Sequence, residues 1–474
     1  MIPLYFKDNF PNDFNARRTQ NCKETLKSLS GKPLGQLMEN NEIITFPTSS
    51  QRAIDDIGNF EILHFEHDDL KDKDIVHTGN LVGFIGVGDV QINIQSRFCD
   101  SPKGENDFFL LHMLSKVMSF NLVNLETGSS KNQELDLLYC LFPRMLHEAL
   151  SQGLYKQYIR KEYNDSNLKG VIDFPRHIRR NNPPNGRIAY HTREFSYDNN
   201  LTELIRHTIE FMGNNPFGKN ILNNNQDTNW CVRQIVQATP GYQKGQRRAV
   251  IHANLRPFSH PYYTKYKPLQ RLCMSILRHE QMSFGNSDKK MHGLLIDAAW
   301  LWEEYIARLL SEKGSNLAHY TRNNAFQLFQ KEDGTKFQMV IPDYYDSEKQ
   351  IVADAKYIPL QRWDHLSADR AAPIYYKTIM YMYRFNADNG FLFHPCRKGE
   401  LESLRNEYHQ EGEDCIYYTY KIDGRDNSYL HKVGMVVPEI DTDPKKASFS
   451  NFSDKMKKVE ESYVRVITNL LNKG

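Results

Sequence analysis

Polar and apolar positions alternate along residues 90–98 (VQINIQSRF). Val90, Ile92 and Ile94 fall on one face of an extended chain, and Gln91, Asn93 and Gln95 on the other. Residues 42–47 (EIITFP), 60–65 (FEILHF) and 81–87 (LVGFIGV) are short apolar runs rich in β-branched and aromatic side chains, which predicts strands. Gly86, Val87, Gly88 and Asp89 are turn material between the last two strands. Residues 1–100 therefore read as a β-rich domain, a small barrel or half-barrel. Gly83, Gly86 and Gly88 superficially suggest a phosphate loop, but no Gly-Lys-Ser/Thr and no long helix follows. The chain is not read as an NTPase.

Past a loop at 101–107 the period becomes helical over 108–154. Leu110, Leu111, Leu114 and Val117 form one apolar set, and Leu135, Leu137, Leu138, Leu141 and Met145 another. Thr127-Gly128-Ser129-Ser130 separates them, and Pro143 is expected to kink or divide the second helix. Further helices are predicted at 201–212 and 269–278, with an Asn/Gln/Pro-rich connection around 214–228. Residues 390–394, 414–420 and 433–437 read as strands and 456–471 as a terminal helix. Strands flanked by helices predict an α/β core over 285–474, after a helical and basic middle region at 101–284.

The densest chemistry lies in that last segment. Residues 337–343 and 350–358 read as the two strands of a hairpin with polar turn residues 346–349 between them. Asp354 and Lys356 share a face with Val352, and Asp343 ends the neighbouring strand, where pairing brings its carboxylate toward Asp354. Opposite charges in an apolar strand are costly to bury without partners. Two carboxylates and the Ala355 carbonyl suit a hard cation such as Mg²⁺, which acidifies water and clamps phosphate oxygens. A neighbouring lysine orients the attacking water or offsets developing negative charge. A surface hairpin with an ordinary Asp–Lys ion pair gives the same triplet; the Pro342-Asp343 pair, the spacing and the apolar context favour a site.

Composition narrows the class. With 40% hydrophobic and 25% charged residues in 474, the chain is globular and long enough for two or three domains. A net charge of +2 does not mark a nucleic-acid binder, so any basic surface is local. Between 153 and 193 such a stretch exists: Lys156, Arg160, Lys161, Lys169, Arg176, Arg179, Arg180, Arg187 and Arg193, interleaved with Tyr155, Tyr158, Tyr163, Phe174 and Tyr190. It suits phosphate contact and base stacking, or equally an acidic partner protein. Neutralising Arg176, Arg179 and Arg180 together is expected to weaken DNA binding and flatten its salt dependence. Seven scattered cysteines without a C-x-x-C pair, no signal peptide and no membrane-length apolar run predict a reduced, cytoplasmic protein with no membrane association.

Pro342-Asp343 with Asp354-Ala355-Lys356 resembles the PD-(D/E)xK nuclease motif. The resemblance implies a restriction-endonuclease-like α/β core and a glutamate from a preceding helix. On the helical stretch 297–310, Glu303 stacks with Ala299, Ile306 and Leu310, whereas Glu304 lies on a more mixed row, so Glu303 is the chosen member of the pair. Leu168-Lys169-Gly170-Val171-Ile172-Asp173, Thr192-Arg193-Glu194-Phe195-Ser196 and Asn199-Asn200-Leu201-Thr202-Glu203-Leu204-Ile205 resemble the middle region of the McrC family, and the strand pair 82–85 and 90–94 its N-terminal part. That resemblance implies the nuclease subunit of an McrBC-like restriction system. It implies cleavage of double-stranded DNA with Mg²⁺ (Mn²⁺ substituting), and a partner McrB-like AAA+ GTPase hexamer that the subunit stimulates. Asp343, Asp354, the Ala355 carbonyl and Glu303 would hold the metal, and Lys356 would complete the catalytic set.

Two departures stand out. Gln95-Ser96-Arg97 occupies a turn where many relatives carry Pro-Lys, and Lys377 stands where many such nucleases carry glutamine. Lys377, Tyr381 and Arg384 share a helix face, so Lys377 and Arg384 are candidate DNA contacts. The N-terminal half is expected to bind the motor, with Arg97 or an arginine of 176–187 offered to its nucleotide site. A truncation starting near 285 is then expected to lose stimulation of the motor. The competing reading is a non-catalytic assembly module that activates an AAA+ motor and keeps a relic hairpin.

Overall fold

The computed structural model describes residues 2–14, 20–39, 41–47, 57–69, 73–101, 107–118, 133–223, 225–283, 291–320, 325–360, 362, 368–404, 408–411, 414–440 and 447–471. The chain forms two compact units: Met1–Leu137 together with Phe284–Gly474, and Leu138–Ser283. Among the described residues no helix is long and apolar enough to cross a membrane. All seven cysteines are buried free thiols.

The first unit contains a five-stranded sheet in the order Ile2–Lys7, Val90–Gln95, Leu81–Val87, His292–Asp297, Glu42–Phe46. Leu81–Val87 and Val90–Gln95 form the hairpin that their alternation predicts, with Gly88 at φ 56° in its turn. Ile2–Lys7 lies parallel to Val90–Gln95. His292–Asp297 inserts between Leu81–Val87 and Glu42–Phe46. The insertion is close: a Cβ on Gly83 would lie 2.1 Å from the Leu294 carbonyl oxygen, and one on Gly293 2.2 Å from that of Phe84. A second sheet pairs Pro11–Phe14 and Leu63–Asp68 with Lys73–Thr78. Neither sheet is the small barrel expected for residues 1–100. The expected strand at 60–65 begins at Leu63, and helices Gln20–Leu29 and Leu34–Met38 contribute Leu26, Leu29 and Leu37 to the core.

A seven-stranded sheet runs Ala318–His319, Tyr344–Asp346, Ile351–Ala355, Asn389–Arg397, Tyr429–Val437, Cys415–Lys421, His409–Glu411. Its three central strands are parallel and its edges antiparallel. Helix Ala368–Arg384 connects the first two parallel strands as a crossover must. The expected strand at 337–343 divides: Lys336–Val340 pairs with Phe326–Gln330 in a separate hairpin, and only Tyr344–Asp346 pairs with Ile351–Ala355. Pro342 lies between the two, where its missing N–H breaks no ladder.

In the second unit, strands Gln157–Asp165, Ile188–Ser196 and Val171–Ile172 form an antiparallel sheet beside helix Phe174–Arg180. Helices Asn200–Gly213 and Tyr266–Ser283 match expectation; the connection around 214–228 instead folds into helices Pro216–Asn223 and Gln226–Ala238. Asn199 and Thr202 form a reciprocal capping box at the start of the first. Helix Gln133–Leu150 continues through Pro143 rather than ending there, and the expected break at 127–130 lies outside the described residues.

Three helices of the first unit, Phe108–Val117, Ala298–Glu312 and Phe449–Leu471, meet at Glu460. Its Oε1 accepts from His112 Nε2 at 2.7 Å and from the Tyr305 hydroxyl at 2.8 Å, and Lys116 Nζ lies 3.3 Å from Oε2. Burial alone raises the Glu460 pKa, but these donors and charges outweigh it and hold it below the usual glutamate range. A depressed folded pKa means the contribution is present above the unfolded value and is lost as pH falls through the folded one. Glu460→Gln is therefore expected to cost about 1.5–3 kcal/mol at neutral pH. Urea denaturation should show the gap to wild type closing as pH falls below the ordinary glutamate range.

Candidate active site

The antiparallel register that sets Tyr344 opposite Ala353 continues to set Asp343 opposite Asp354. Asp343 Oδ2 accepts from the Ala355 N–H at 2.8 Å, fixing the carboxylate against the strand end. Asp354 sits within the sheet, between Tyr344–Asp346 and Asn389–Arg397, and is wholly buried. Neither Oδ atom accepts a well-formed hydrogen bond. Lys356, one residue past the strand, forms an ion pair with Oδ2, and Lys377 Nζ lies 3.7 Å from Oδ1. Helix Ala368–Arg384 delivers Lys377, which also lies over the Tyr381 ring, 5.3 Å from its centroid.

The two aspartates are driven apart electrostatically. Burial raises the Asp343 pKa, and the charges of Asp354 and Glu303 push it further, well above the carboxylate range. Burial also opposes ionisation of Asp354, but Lys356 and Lys377 hold its pKa below the ordinary value. Such a pair titrates as a unit.

Glu303 lies on helix Ala298–Glu312, which Asp297 caps by accepting from the Ala299 and Trp300 N–H groups. Glu303 Oε1 is 2.9 Å from His319 Nε2, and its carbonyl oxygen accepts from the Tyr344 hydroxyl at 2.6 Å. Its charge reaches Asp343; that of Glu304, whose Oε1 is 4.0 Å from His319 Nδ1, is felt at Tyr344. Burial lowers the His319 pKa, but the bond to Glu303 and the two glutamate charges raise it overall. Among the described residues no group of three or more His, Cys, Asp or Glu side chains is arranged to hold a metal ion. Asp343 and Asp354 face each other, while Glu303 is turned to His319.

Other sequence candidates are placed differently. Arg384, exposed on the same helix as Lys377, donates through Nε to the Gln327 carbonyl at 2.8 Å and so also braces the Phe326–Gln330 strand. Tyr376 and Tyr383 on the same helix are 72% and 78% exposed. Arg176 is consumed inside its unit: Nη1 meets Glu162 at 2.5 Å, and Nη2 donates to the Tyr163 and Tyr190 carbonyls. Neutralising it with Arg179 and Arg180 would therefore loosen the small sheet as well as remove charge. Arg179 donates through Nε to its own helix at the Pro175 carbonyl. Arg97 is 1% exposed and paired with Asp8, so it is not presented to a nucleotide site in another chain. A truncation at 285 would also remove every sheet partner of His292–Asp297.

His319 was not legible as a site neighbour: it is a single histidine in a two-residue edge strand. Tyr381 shares the Lys377 helix face, but spacing does not show what its hydroxyl bonds. Yet the buried Tyr381 hydroxyl donates to the Ile341 carbonyl at 2.7 Å, two residues before Asp343.

A mixed α/β fold with a parallel-centred sheet, carrying an Asp–Asp–Lys set around the buried Asp354 at one strand end, is the class these features define. The chain belongs to the McrBC 5-methylcytosine restriction system component family, whose pattern matches residues 76–395. That span includes Glu303, Asp343, Asp354, Lys356 and Lys377. No curated protein matches the chain. Among solved structures it is similar to a chain of the refined half-complex from the tetradecameric assembly of Thermococcus gammatolerans McrB AAA+ hexamers with bound McrC, at 14% identity and a TM-score of 0.42, covering 96% of this chain and 100% of that one. A chain of the cryo-EM structure of the Thermococcus gammatolerans McrBC complex matches at 15% identity and a TM-score of 0.31, covering 67% and 89%.

Tyr381→Phe removes the donor to a buried carbonyl while keeping the ring. It is expected to cost about 1 kcal/mol, read as a lower denaturation midpoint in urea with an unchanged slope.

Proposed function

We propose that the chain is the DNA endonuclease subunit of an McrBC-like restriction system, with a PD-(D/E)xK core that hydrolyses phosphodiesters in double-stranded DNA. The observation that carries this reading is the pair Asp343 and Asp354 with Lys356 at one strand end, in a chain of the McrBC family. Family membership also supports a partner, an McrB-like AAA+ GTPase hexamer that the subunit stimulates.

The residues fit a hard divalent cation. Ionised Asp354 opposes ionisation of the neighbouring Asp343 carboxylate, and the wholly buried Asp354 oxygens are met by two ammonium groups rather than by well-aligned hydrogen bonds. A cation between them would relieve the repulsion and satisfy those oxygens. Asp343, Asp354 and the Ala355 carbonyl would hold Mg²⁺ or Mn²⁺, with Glu303 joining directly or through water. Bound there, the metal would supply a Lewis acid and an acidified water. Lys356 is not a ligand, because an ammonium repels a cation. Its place beside Asp354 suits it to orient the attacking water and to offset charge on the phosphate. Lys377 approaches the same carboxylate from the crossover helix and suits the scissile phosphate. Arg179 and Arg180 remain candidates for DNA phosphates in the second unit.

The two kinds of residue predict different losses. Asp354→Ala should abolish both Mg²⁺ binding and cleavage by the complex reconstituted with its GTPase. Lys356→Ala should leave metal binding intact or tighter while cleavage falls about 100-fold or more. Both should still stimulate the GTPase. Calorimetry with Mg²⁺ or Mn²⁺, a nicking assay and a GTPase assay read these outcomes. Wild-type cleavage by Asp354→Ala would remove the nuclease from this hairpin. A complex that never cleaves but is still stimulated would leave the assembly-module reading.

A further inference from the structure

The antiparallel sheet of the second unit has a solvent face unlike an ordinary one. Side chains alternate across its two long strands, and the register pairs Tyr158 with Phe195, Arg160 with Arg193, and Glu162 with His191. All of these share one face, and Lys156 and Tyr197 extend it. The other face carries Ile159, Lys161, Tyr163, Tyr190 and Glu194, where Tyr163 and Tyr190 stack and Glu194 is bonded to Tyr163, Thr192 and Lys161. The solvent face of a one-sided sheet is normally polar. Here Tyr158 is 57% exposed, Phe195 55% and Tyr197 41%.

The exposed rings are interleaved with cations. Tyr158 and Phe195 lie side by side, centroids 4.9 Å apart and planes 35° from parallel. The Arg193 guanidinium sits over Tyr158 at 4.9 Å, and Lys156 Nζ over Tyr197 at 4.1 Å and Phe195 at 5.5 Å. Arg160 contacts His191 at 3.3 Å and reaches Asp173 at 3.6 Å. Glu162, the acid in these rows, is already engaged by Arg176. The face thus offers three cations with two neighbouring rings at its centre. Aromatic and cationic rows are separated by roughly 7 Å along the strand, the scale of one nucleotide.

Exposed rings flanked by arginine and lysine match nucleic acid whose bases are unpaired. Base π-faces are free to stack only outside a duplex, and each stack tolerates any sequence. Cations on either side of the rings meet the backbone phosphates. A protein partner of this face would have to bring carboxylates to the three cations and apolar surface to the tilted ring pair at the same time. We infer that this face is a stacking platform for unpaired DNA, with bases on Tyr158 and Phe195 and phosphates on Lys156, Arg160 and Arg193. The inference rests on the reading that the chain acts on DNA, and it places a second nucleic-acid contact outside the nuclease hairpin.

The test is binding alone, measured with the full chain in EDTA by fluorescence anisotropy of a short fluorescein-labelled oligothymidylate. Tyr158→Ala with Phe195→Ala should weaken binding about tenfold or more, and Tyr158→Phe should keep wild-type affinity. Arg160→Ala with Arg193→Ala should flatten the slope of log affinity against log salt by about 0.7 per charge removed. This assay reads binding without metal and the hairpin assay reads cleavage, so failure of the hairpin assignment and failure of this one are separable. Far-UV circular dichroism checks that each variant is folded. Unchanged oligothymidylate affinity in the folded double ring variant overturns the inference, as does tighter binding to a duplex that ignores the rings. In either case the face belongs to a protein partner.

Discussion

A buried guanidinium holds the first unit together. Arg97 donates to both oxygens of Asp8, through its backbone N–H to Oδ1 and through Nε and Nη2 to Oδ2. Nη2 also meets Asn80 Oδ1 at 2.7 Å, and Nη1 donates to the Tyr357 carbonyl at 2.6 Å. The guanidinium lies 4.4 Å from the Tyr357 ring centroid. Burying an ion pair costs several kcal/mol per ion, about what good geometry and saturated donors can return. Here the donors are largely saturated. Asp8 and Arg97 follow two parallel strands of the N-terminal sheet, and Tyr357 follows Lys356 of the candidate site. Ser96 Oγ lies 3.2 Å from the Tyr357 hydroxyl, and Phe98 packs on the Tyr357 ring. The N-terminal sheet is thereby fixed to the strand end that carries the chemistry.

That arrangement explains which parts were legible in the sequence. The Leu81–Val87 and Val90–Gln95 hairpin, and the pairing of Asp343 with Asp354, depend on residues close in the chain, and alternation and turn chemistry report them directly. The insertion of His292–Asp297 does not. An apolar run names no partner, and here the partners come from the far end of the sequence. The same limit applies to charges. Arg97 and Arg176 look alike in sequence, as cations in polar contexts, yet one is buried on Asp8 and the other is spent on carbonyls and Glu162. Arginine composition shows a charge and withholds its counter-charge. Lys377 was legible because helical spacing alone sets it one turn from Tyr381, while the engagement of Arg384 with Gln327 depended on a hairpin that the sequence merged into the catalytic strand.

Lys377 shifts the charge balance of the candidate site in a definite direction. Asp354 carries one negative charge and faces two ammonium groups, Lys356 and Lys377. With glutamine there, a single lysine would balance the aspartate, and a phosphate would depend on the metal alone. On the proposed reading, Asp343, Asp354 and Glu303 are ionised around a divalent cation, and the two lysines leave the site with one net positive charge. A phosphodiester linkage carries one negative charge and closes that balance. Asp354 is wholly buried and Lys356 largely so, whereas the Lys377 side chain is 44% exposed and its charge is partly screened by solvent. On that reading Lys377 is the charge that makes the site neutral once DNA is seated, a role that an uncharged donor reaching the phosphate could not fill.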